Sequence, residues 1–344
     1  MLFRQIFDEK SWTYTYLIAS GVGREAVIID PVIEKVDQYI RILKQLDLRL
    51  VKCIDTHIHA DHISGMAELR EKTNCVSVMG DKTPADVASI RVSDGEEVKI
   101  EGISLRAMYT PGHTSESFSY KMNDRVFTGD ALLIRGTGRT DFQNGDPYDA
   151  YDSLFNKLLK LPEETLMYPG HDYKGEMVST IGEEKRFNPR LQVNSADEYA
   201  EIMNNLNLPN PAYMDVAVPG NLAGGINLER QKTAGGIDCD EFKKDIDSGE
   251  CILVDLREDS EINKMGQIPG SVNVKFSDLQ NYLKTNMQLI KDKKVLMYCD
   301  IGQRSTLAVQ ISASFGLRHA RHLIGGVQAW KKAGLDIKTQ EHHH

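Results

Sequence analysis

A set of histidines and aspartates at predicted strand ends constrains this chain more than any other feature. Three of the histidines, His57, His59 and His62, lie with Asp61 in the segment THIHADH, directly after a short buried strand. Residues two apart in an extended loop point to the same side, so His57 and His59 can converge. Asp61 and His62 begin the predicted next helix, from which they can face the same cavity from the other side.

The other members of the set follow sharp turns or end strands further along the chain. His113 follows Thr-Pro-Gly, Asp130 ends the strand VFTG, and His171 follows Tyr-Pro-Gly. The chain has 10 histidines, and the last three are interpreted as part of a purification-tag remnant at 341–344. Five of the remaining seven belong to this set. Imidazoles and carboxylates are ligands of Zn, Fe or Mn, so the sequence predicts a metal site.

The order of strands and helices predicts an α/β fold class. A length of 344 residues suggests two domains. Many strands with helices between them, one of them over 61–72, predict two packed sheets flanked by helices for residues 1–232. The Asn-, Pro- and Gly-rich stretch 204–236 is interpreted as an extension of this domain that runs into a linker. Residues 233–340 predict a second, compact α/β domain with a parallel sheet.

Charge and composition exclude several classes of function. The formal net charge of −9 gives no basic excess for binding nucleic acid. No apolar run approaches the ~18 residues that a membrane span needs, and the start of the chain shows no secretory signal. The five scattered cysteines are typical of reduced thiols, so we expect a cytoplasmic protein. The oligomeric state stays open at this stage, a homo-oligomer included.

A cysteine of the second domain ends a predicted strand in the segment VLMYCDIGQRS. The strand delivers Cys299 into a short loop before a helix N-terminus, where backbone N–H groups and the helix dipole favour an anion. Arg304 adds a formal positive charge. Such surroundings stabilise a thiolate or a bound persulfide, so Cys299 and Arg304 are candidate catalytic residues. The other four cysteines are interpreted as structural.

The motif HxHxDH, followed by His113, Asp130 and His171, resembles the metallo-β-lactamase superfamily over residues 1–232. The segment TGDALLIRGTGRTDFQ is more specific, since it resembles the persulfide dioxygenase family, whereas glyoxalase II thioesterases differ there. The resemblance implies the αββα metallo-β-lactamase sandwich and one Fe(II) in this domain, held by His57, His113 and Asp130. A second metal stays open. Four further residues surround the iron in that family without having to bind it: His59, Asp61, His62 and His171.

The same resemblance implies oxidation of a thiol persulfide by O₂ to sulfite and the free thiol. Glutathione persulfide is the usual substrate of the family, and another low-molecular-weight thiol is the alternative. Because glutathione carries two carboxylates, cationic side chains should hold it. The candidate substrate-binding residues are Arg135, Arg139, Tyr173 and Lys174. For each arginine the plain alternative is a surface ion pair, and Tyr173 could equally support a neighbouring histidine.

Most of residues 233–340 resembles a rhodanese sulfurtransferase. The resemblance rests on the Cys299 loop, on DLRE and GQIPGSVN before it, and on LIGGVQAW after it. It implies transfer of sulfane sulfur between thiosulfate and a thiol through a Cys299 persulfide. The whole chain is thus similar to the bacterial persulfide dioxygenase–rhodanese fusions of sulfide metabolism. The expected partners are glutathione and its persulfide, thiosulfate, sulfite and O₂.

Two alternatives stay open on the sequence alone. One is a zinc-dependent, glyoxalase II-like thioesterase fused to a sulfurtransferase, which would use no oxygen. The other is a rhodanese domain that binds persulfide as a non-catalytic sensor and regulates the first domain. Metal analysis with oxygen uptake distinguishes the first alternative, and sulfur transfer by the second domain distinguishes the other.

Overall fold

The structure is a computed structural model. It describes residues 1–85, 88–141, 143–209, 214–223 and 228–339. The chain divides into two compact units, Met1–Gly224 and Gly225–His344. The domain boundary predicted after residue 232 falls inside a helix, Leu228–Thr233, and stays a prediction. Phe142, in the segment that carries the dioxygenase resemblance, lies outside the described residues. None of the helices in the described ranges is long and apolar enough to cross a membrane.

Two six-stranded sheets form the framework of the first unit within the described residues. The strands of the first sheet, from edge to edge, are β1 (Leu2–Asp8), β2 (Thr13–Ala19), β3 (Glu25–Ile29), β4 (Arg49–Ile54), β5 (Val76–Gly80) and β6 (Ile90–Val92). Those of the second are β7 (Glu97–Ile100), β8 (Ile103–Tyr109), β9 (Phe118–Lys121), β10 (Arg125–Phe127), β11 (Leu166–Tyr168) and β12 (Ser179–Thr180). β3 to β6 run parallel, which places the loops after them at one edge of the sheet.

Helices cover the outer faces of both sheets. They are α1 (Val36–Gln45), α2 (Met66–Thr73), α3 (Pro147–Asn156), α4 (Ile181–Phe187), α5 (Ala196–Asn204) and α6 (Met214–Ala223). Tyr39 of α1 and Leu69 of α2 are buried in one cluster with Leu17 of the first sheet. Leu154 of α3 and Tyr199 of α5 are buried in another cluster with strand residues of the second sheet.

The core of the first unit lies between the two sheets. Ile29 and Ile54 from the first sheet are buried in the same cluster as Leu105, Phe118 and Phe127 from the second. β8 reads ISLRAMY, and its first five residues alternate between buried and exposed, as expected for a strand with one face on a core. The predicted αββα sandwich is therefore confirmed.

The helix predicted over 61–72 begins instead at Met66, so this prediction was wrong over its first turn. The preceding residues form a loop, which Asn221 of α6 holds in place. The Asn221 side chain accepts from the Ser64 N–H and donates to the His62 carbonyl, each at 2.9 Å. These bonds compete with the hydrogen bonds of a helical turn, so the helix starts only after the loop.

The stretch 204–236 contains more regular structure than its composition indicates. It includes α6 and a short helix, α7 (Leu228–Thr233). Val218 and Leu222 of α6 pack against the core on the outer face of the first sheet, so this part of the stretch belongs to the first unit. Residues 210–213 and 224–227 of the predicted linker lie outside the described residues.

A five-stranded sheet with only parallel pairs forms the second unit within the described residues. Its strands are β13 (Gly236–Ile237), β14 (Cys251–Asp255), β15 (Ser271–Asn273), β16 (Lys294–Tyr298) and β17 (Arg321–Leu323), and their order is β13-β17-β16-β14-β15. The helices after α7 are α8 (Cys239–Asp247), α9 (Asp259–Met265), α10 (Leu279–Ile290), α11 (Gln303–Ser314) and α12 (Gly326–Lys332). The predicted α/β domain with a parallel sheet is confirmed.

Candidate metal centre and cysteine loop

His57 lies in the loop after β4, at the edge where the parallel strands of the first sheet end. Its Nδ1 lies 2.9 Å from the Thr56 hydroxyl, which donates to Asp30 Oδ2 at 2.8 Å. Because the Thr56 proton is committed to Asp30, the hydroxyl oxygen accepts from the His57 Nδ1–H. The unprotonated Nε2 of His57 is therefore the atom that faces Asp130 Oδ2, 3.3 Å away.

His113 presents its ring in the same way from the turn after β8. Its Nδ1–H donates to the Arg139 carbonyl at 2.8 Å, and its Nε2 lies 3.4 Å from Asp130 Oδ2. Gly112, just before it, has a φ of +142°, and a Cβ there would lie 2.3 Å from the Ala150 backbone. Only glycine therefore allows the turn to pack this closely against α3 and fix the direction of the ring.

Asp130 follows β10, and its carboxylate lies between the imidazoles of His57 and His113 on one side and that of His171 on the other. One ligand atom from each of His57, His113 and Asp130 lies within 4.8 Å of the others. The second oxygen of Asp130, Oδ1, lies 2.5 Å from His171 Nδ1. Burial raises the pKa of Asp130, but His171 and His57 outweigh it and hold that pKa well below its usual range. The group is therefore a carboxylate with both oxygens in use.

The chemistry of these three donors fits a first-row transition metal. Two unprotonated imidazole nitrogens and a carboxylate, which converge from three separate loops, are the donor set of non-haem Fe(II) oxygenases. Burial lowers the pKa of His113, although Asp130 opposes this, and a histidine must be neutral to bind a metal. His57, His113 and Asp130 are thus the residues that would hold the predicted metal.

A second group of donors lies beside the first. Among the described residues, the buried Nδ1 of His59 and Nε2 of His62 have no hydrogen-bond partner. With Asp61 they offer three ligand atoms within 4.8 Å of one another. The other ring nitrogen of His59, Nε2, lies 3.1 Å from Asp30 Oδ1, which fixes the ring. These three donors are close enough together to hold a second metal ion, so that alternative is still open.

His171 lies between two carboxylates. Its Nδ1 is bonded to Asp130, and its Nε2 contacts Asp61 Oδ2 and lies 3.0 Å from the Thr13 hydroxyl. Burial lowers the pKa of His171, but the two aspartates outweigh this and raise it well above its usual value. In this position His171 orients the carboxylate of Asp130 from the side away from His57 and His113.

A cavity of ≈ 240 Å³ opens beside His113 and Asp130. The four residues predicted to bind substrate all line it: Arg135, Arg139, Tyr173 and Lys174. Tyr173 is 65% exposed, and its ring stacks on that of His171 with 6.2 Å between the centroids. The structure thus brings these four residues together next to the candidate metal ligands. Their role in binding stays a prediction.

The cations at this cavity already have partners. Arg135 pairs with the buried Glu184, and Arg139 makes two bonds to Asp141, at 2.7 and 2.8 Å. Lys174 Nζ donates to a backbone carbonyl at 2.9 Å. Both arginines therefore form ion pairs, that of Arg139 with an exposed partner and that of Arg135 with a buried one. A carboxylate ligand would have to share or replace these partners.

Residues behind the histidine loop were missed by reasoning from the sequence. Glu116 Oε1 accepts from the Ile58 N–H, and Gln143 Nε2 donates to the Ile58 carbonyl, both at 2.9 Å. Asp30, at the end of β3, accepts from the Thr56 N–H at 2.8 Å. The position of Asp30 could have been predicted, because Asp30 directly follows β3, and the ends of the neighbouring parallel strands β3 and β4 lie at the same edge of the sheet. Gln143 ends the segment that carries the dioxygenase resemblance, but its contact with Ile58, like that of Glu116, is visible only in the fold.

Cys299 lies at the end of β16, in the loop that leads into α11. Its Sγ accepts from the N–H groups of Gly302 at 3.1 Å and Ser305 at 3.4 Å, and it lies 3.5 Å from the Ser305 hydroxyl. Gly302 has a φ of +95°, a conformation that glycine adopts at little cost. The loop therefore aims backbone donors at the sulfur, an arrangement that stabilises negative charge there.

Arg304 is fully buried and paired with Glu261 of α9. Its two terminal nitrogens lie 2.9 and 2.6 Å from the two carboxylate oxygens. The positive charge expected in the loop is thus compensated by a group that the sequence analysis did not single out. This bidentate pair fixes the first turn of α11 beside Cys299. A catalytic role for Arg304 stays a prediction.

Family models match both units. The description "Metallo-beta-lactamase superfamily" matches residues 13–171, which contain every candidate metal ligand. The description "Rhodanese-like domain" matches residues 238–333, which contain the Cys299 loop. The two matches lie within the two compact units described above.

Known relatives identify the first unit more closely. The chain is 44% identical over 229 residues to "Persulfide dioxygenase ETHE1, mitochondrial" of Mus musculus, a match that covers 66% of this chain and 89% of that protein. Among solved structures, ETHE1 from Myxococcus xanthus is 52% identical, with a TM-score of 0.64, and covers 65% of this chain and 100% of that chain. A metallo-beta-lactamase structure from Staphylococcus aureus, 23% identical with a TM-score of 0.62, covers 94% of this chain and 98% of that one, and shows the fold alone.

The relatives and the geometry agree on the first unit. The histidines and the aspartate that the resemblance singled out as ligands lie together at one site, and the persulfide dioxygenases match nine-tenths of their own length. The rhodanese-like match lies wholly outside that superfamily match. This chain therefore belongs to the persulfide dioxygenase family of the metallo-β-lactamase superfamily and carries a rhodanese-like domain in its second unit.

Proposed function

We propose that the chain is a bifunctional enzyme of sulfur metabolism. The first domain, residues 1–232, oxidises glutathione persulfide or another low-molecular-weight thiol persulfide with O₂ and one Fe(II): RSSH + O₂ + H₂O → RSH + H₂SO₃. The second domain, residues 233–340, transfers sulfane sulfur between thiosulfate and a thiol through Cys299. The observation that carries the dioxygenase part is the convergence of two imidazoles and a carboxylate beside a cavity. Five free cysteines support a reducing, cytoplasmic location.

Iron suits this reaction better than zinc. When bound, Fe(II) supplies the electrons that make O₂ reactive toward sulfur, which redox-silent Zn²⁺ cannot do. The residues of this chain orient the donors in advance. The Thr56 hydroxyl fixes the ring of His57, and the Arg139 carbonyl fixes that of His113. His171 holds Asp130 from its far oxygen, so the three donors need little reorganisation.

The cavity beside the ligands would hold the thiol carrier. Arg135 and Arg139 line it, and each forms its ion pair with an acidic side chain. A carboxylate of glutathione offers the same two-oxygen geometry as the exposed Asp141, so the fork of Arg139 can accept it in exchange. Arg135, whose partner Glu184 is buried, would share its charge with the ligand and keep that partner. Tyr173, which is largely exposed, offers an apolar ring face to the carrier. The persulfide end would then extend toward His113 and Asp130.

Sulfur transfer at Cys299 follows from the donors around its sulfur. The thiolate attacks the outer sulfur of thiosulfate, the S–S bond breaks, and sulfite leaves with the bonding electron pair. An acceptor thiolate then attacks the outer sulfur of the Cys299 persulfide, takes it, and releases the Cys299 thiolate. The N–H groups of Gly302 and Ser305 stabilise the negative sulfur before and after transfer.

Asp130→Asn tests the metal assignment. The amide removes the negative charge and one acceptor oxygen, so we expect loss of iron and of oxygen uptake with glutathione persulfide. Thiosulfate-to-thiol transfer should survive in the same protein. Asp124→Asn makes the same charge change at a side chain that is 59% exposed, and it should leave both activities intact. Full iron stoichiometry in Asp130→Asn would contradict the assignment.

Cys299→Ser tests the second activity. The hydroxyl is a poor nucleophile toward sulfane sulfur, so thiosulfate turnover should fall to background while oxygen uptake persists. Turnover near that of the wild type would remove Cys299 from the mechanism. A non-catalytic sensor predicts no transfer by the wild type, and a zinc thioesterase predicts hydrolysis of a thioester at the same rate under nitrogen.

A further inference from the structure

Gln231 of α7 is buried against the cysteine loop although it lies before the part of the chain that the rhodanese-like description matches, residues 238–333. Only 3% of the residue is exposed. Its side-chain Nε2 donates to the Ile301 carbonyl at 3.0 Å, and its Oε1 accepts from the Gly325 N–H at 2.8 Å. One carboxamide therefore joins two separate loops of the second unit.

Both of these loops touch Cys299. Ile301 lies two residues after the cysteine, and Gly325 directly precedes α12, whose first turn contacts Cys299. There the Val327 N–H donates to the Cys299 carbonyl at 2.9 Å. Gln231 thus links the loop that contains Cys299 to the start of α12, two segments that are distant in sequence. The segment it fixes also supplies the Gly302 N–H that points at the sulfur.

The contact between Gln231 and Gly302 leaves no spare room. A Cβ on Gly302 would lie 2.0 Å from Gln231 Oε1. The carboxamide therefore packs directly on the turn that carries the N–H donor. A side chain of different shape at 231 would change the support beneath this turn, and with it the direction of the donor toward Cys299.

The backbone carbonyl of Gln231 reaches the sulfur by a second route, through His322. His322 Nε2 lies 3.1 Å from this carbonyl, which only accepts, so Nε2 carries the proton. Nδ1 of His322 must then accept from the Ser305 hydroxyl, 3.0 Å away. The hydroxyl oxygen is left to accept from the Cys299 thiol at 3.5 Å. A directed chain of hydrogen bonds therefore runs from the thiol to Gln231.

Within the part of the chain that the structure describes, the hydrogen-bond partners of the His322 ring are neutral groups. The residues bonded to His322 are Ser305, Gln231 and, at 3.3 Å, the Thr306 hydroxyl, and all are neutral. Of the charged side chains in the segment 299–305, Arg304 is bonded to Glu261, and Asp300 accepts from Gln328 Nε2 at 2.9 Å. The network is thus an arrangement of neutral hydrogen bonds whose directions are fixed by geometry.

We propose that Gln231 is a positioning residue of the sulfur-transfer site, which fixes the Cys299 loop through its carboxamide and orients the thiol through His322 and Ser305. The inference rests on the proposed sulfur transfer at Cys299. Gln231 touches neither sulfur nor substrate, so its effect is on the geometry of the attacking sulfur and its N–H donors. Small displacements of such groups lower the rate of the chemical step more than they weaken substrate binding.

Gln231→Met and Gln231→Glu in the full chain test the proposal. Methionine has similar length but loses both carboxamide bonds, and glutamate keeps the acceptor for Gly325 while it loses the donor to Ile301. We expect kcat for thiosulfate-to-thiol transfer to fall about 10- to 100-fold in Gln231→Met, with a change in KM of less than about threefold. Lys232→Ala, at the exposed next position of the same helix, is the matched control and should behave like the wild type.

Amide hydrogen exchange of the segment 299–305 gives a second measurement that does not depend on turnover. We expect faster exchange there in both Gln231 variants, with β14 and β16 unchanged. Wild-type kcat together with wild-type exchange over 299–305 in Gln231→Met would overturn the proposal. If Gln231→Met loosens the whole unit, Gln231→Glu decides, and unchanged exchange in that variant overturns the proposal too. A wild-type protein without sulfur transfer would refute the proposed function, while the exchange result would still decide on the positioning of the loop.

Discussion

Replacing Asp30 by asparagine should weaken metal binding although Asp30 is not one of the three candidate ligands. Asp30 accepts from the Thr56 N–H and the Thr56 hydroxyl, both at 2.8 Å, and from His59 Nε2 at 3.1 Å. Burial raises the pKa of Asp30, but His59 outweighs it and holds that pKa below its usual value. The group is therefore a carboxylate that accepts at both oxygens.

The amide of Asp30→Asn places an N–H₂ group where one oxygen was. If it faces the Thr56 hydroxyl, that oxygen must accept and its proton turns toward His57 Nδ1. The proton on His57 then moves to Nε2, the atom that faces Asp130. A protonated Nε2 has no lone pair for a metal, so a single exchange of O for N–H₂ disables a ligand two hydrogen bonds away.

The size of the effect follows from these bonds. A hydrogen bond to a charged group contributes about 1.5–3 kcal/mol to stability. Loss of a hydrogen-bond partner behind a metal ligand lowers metal affinity by about 10- to 100-fold, which corresponds to about 1.4–2.7 kcal/mol. The two figures agree, so we expect the dissociation constant for iron to rise by one to two orders of magnitude.

Competition with a chelator measures this iron affinity, and oxygen uptake with saturating iron measures what the bound metal still does. Sulfur transfer by the second domain, in the same sample, reports that the protein is intact. Asp124→Asn supplies the matched change of charge at an exposed site. Wild-type iron affinity in Asp30→Asn would refute the argument that Thr56 and Asp30 set the protonated nitrogen of His57.

Two further predictions concern the second unit. Glu261→Ala leaves the buried Arg304 without its bidentate partner. The free energy of unfolding of the second unit should therefore fall by about 3–5 kcal/mol, and a loss below about 1 kcal/mol in urea titrations would contradict this. Burial lowers the pKa of His322 to about 4, from an ordinary value of 6.5. The folded state therefore binds fewer protons than the unfolded chain as the pH falls below 6.5. The contribution of the neutral His322 to the free energy of unfolding is complete above pH 6.5, and up to about 3 kcal/mol of it is lost as the pH falls toward 4. Unfolding of the wild type and of His322→Asn across this range measures the difference, and identical pH dependence would show that the ring is not held neutral.

Local sequence patterns predicted two packed sheets flanked by helices and a metal site at their strand ends for physical reasons, whereas the family resemblance singled out three of the candidate ligands. Strand alternation and helical spacing are local, and His57, His113 and Asp130 each follow a strand or turn that is visible in the sequence. Loops at strand ends gather at one edge of a sandwich, so a shared site could be expected without coordinates. The convergence of their ligand atoms within 4.8 Å agrees with that expectation.

Long-range contacts explain what the sequence did not reveal. The predicted helical turn at 61–65 is a loop because Asn221 binds it, 157 residues away from Ser64 in sequence. Asn221 itself lies in the stretch 204–236, which was interpreted from its Asn, Pro and Gly content as an extension of the first domain that runs into a linker, without a helix. The loop at 61–65 thus depends on a contact with a residue that local patterns could not place beside it.

The charge of the cysteine loop shows the same limit. Arg304 was expected to add a positive charge near Cys299, and its position in the loop is as predicted. Its partner, Glu261, lies 43 residues earlier on a helix that no sequence pattern singled out. Gln231 and His322 likewise reach the loop only through the folded second unit. Residue type and spacing identify Cys299 as a candidate nucleophile, but the groups packed around it are visible only in the fold.

Metal and oxygen stoichiometry of the purified full chain give the most direct measurement of the proposed chemistry. Protein prepared without air is analysed for iron and zinc, and is then given glutathione persulfide with and without O₂. The reaction proposed for the first domain predicts one iron per chain, one O₂ consumed for each sulfite formed, and no sulfite under nitrogen. Zinc as the bound metal, with equal turnover of the sulfur substrate in the absence of O₂, would contradict it.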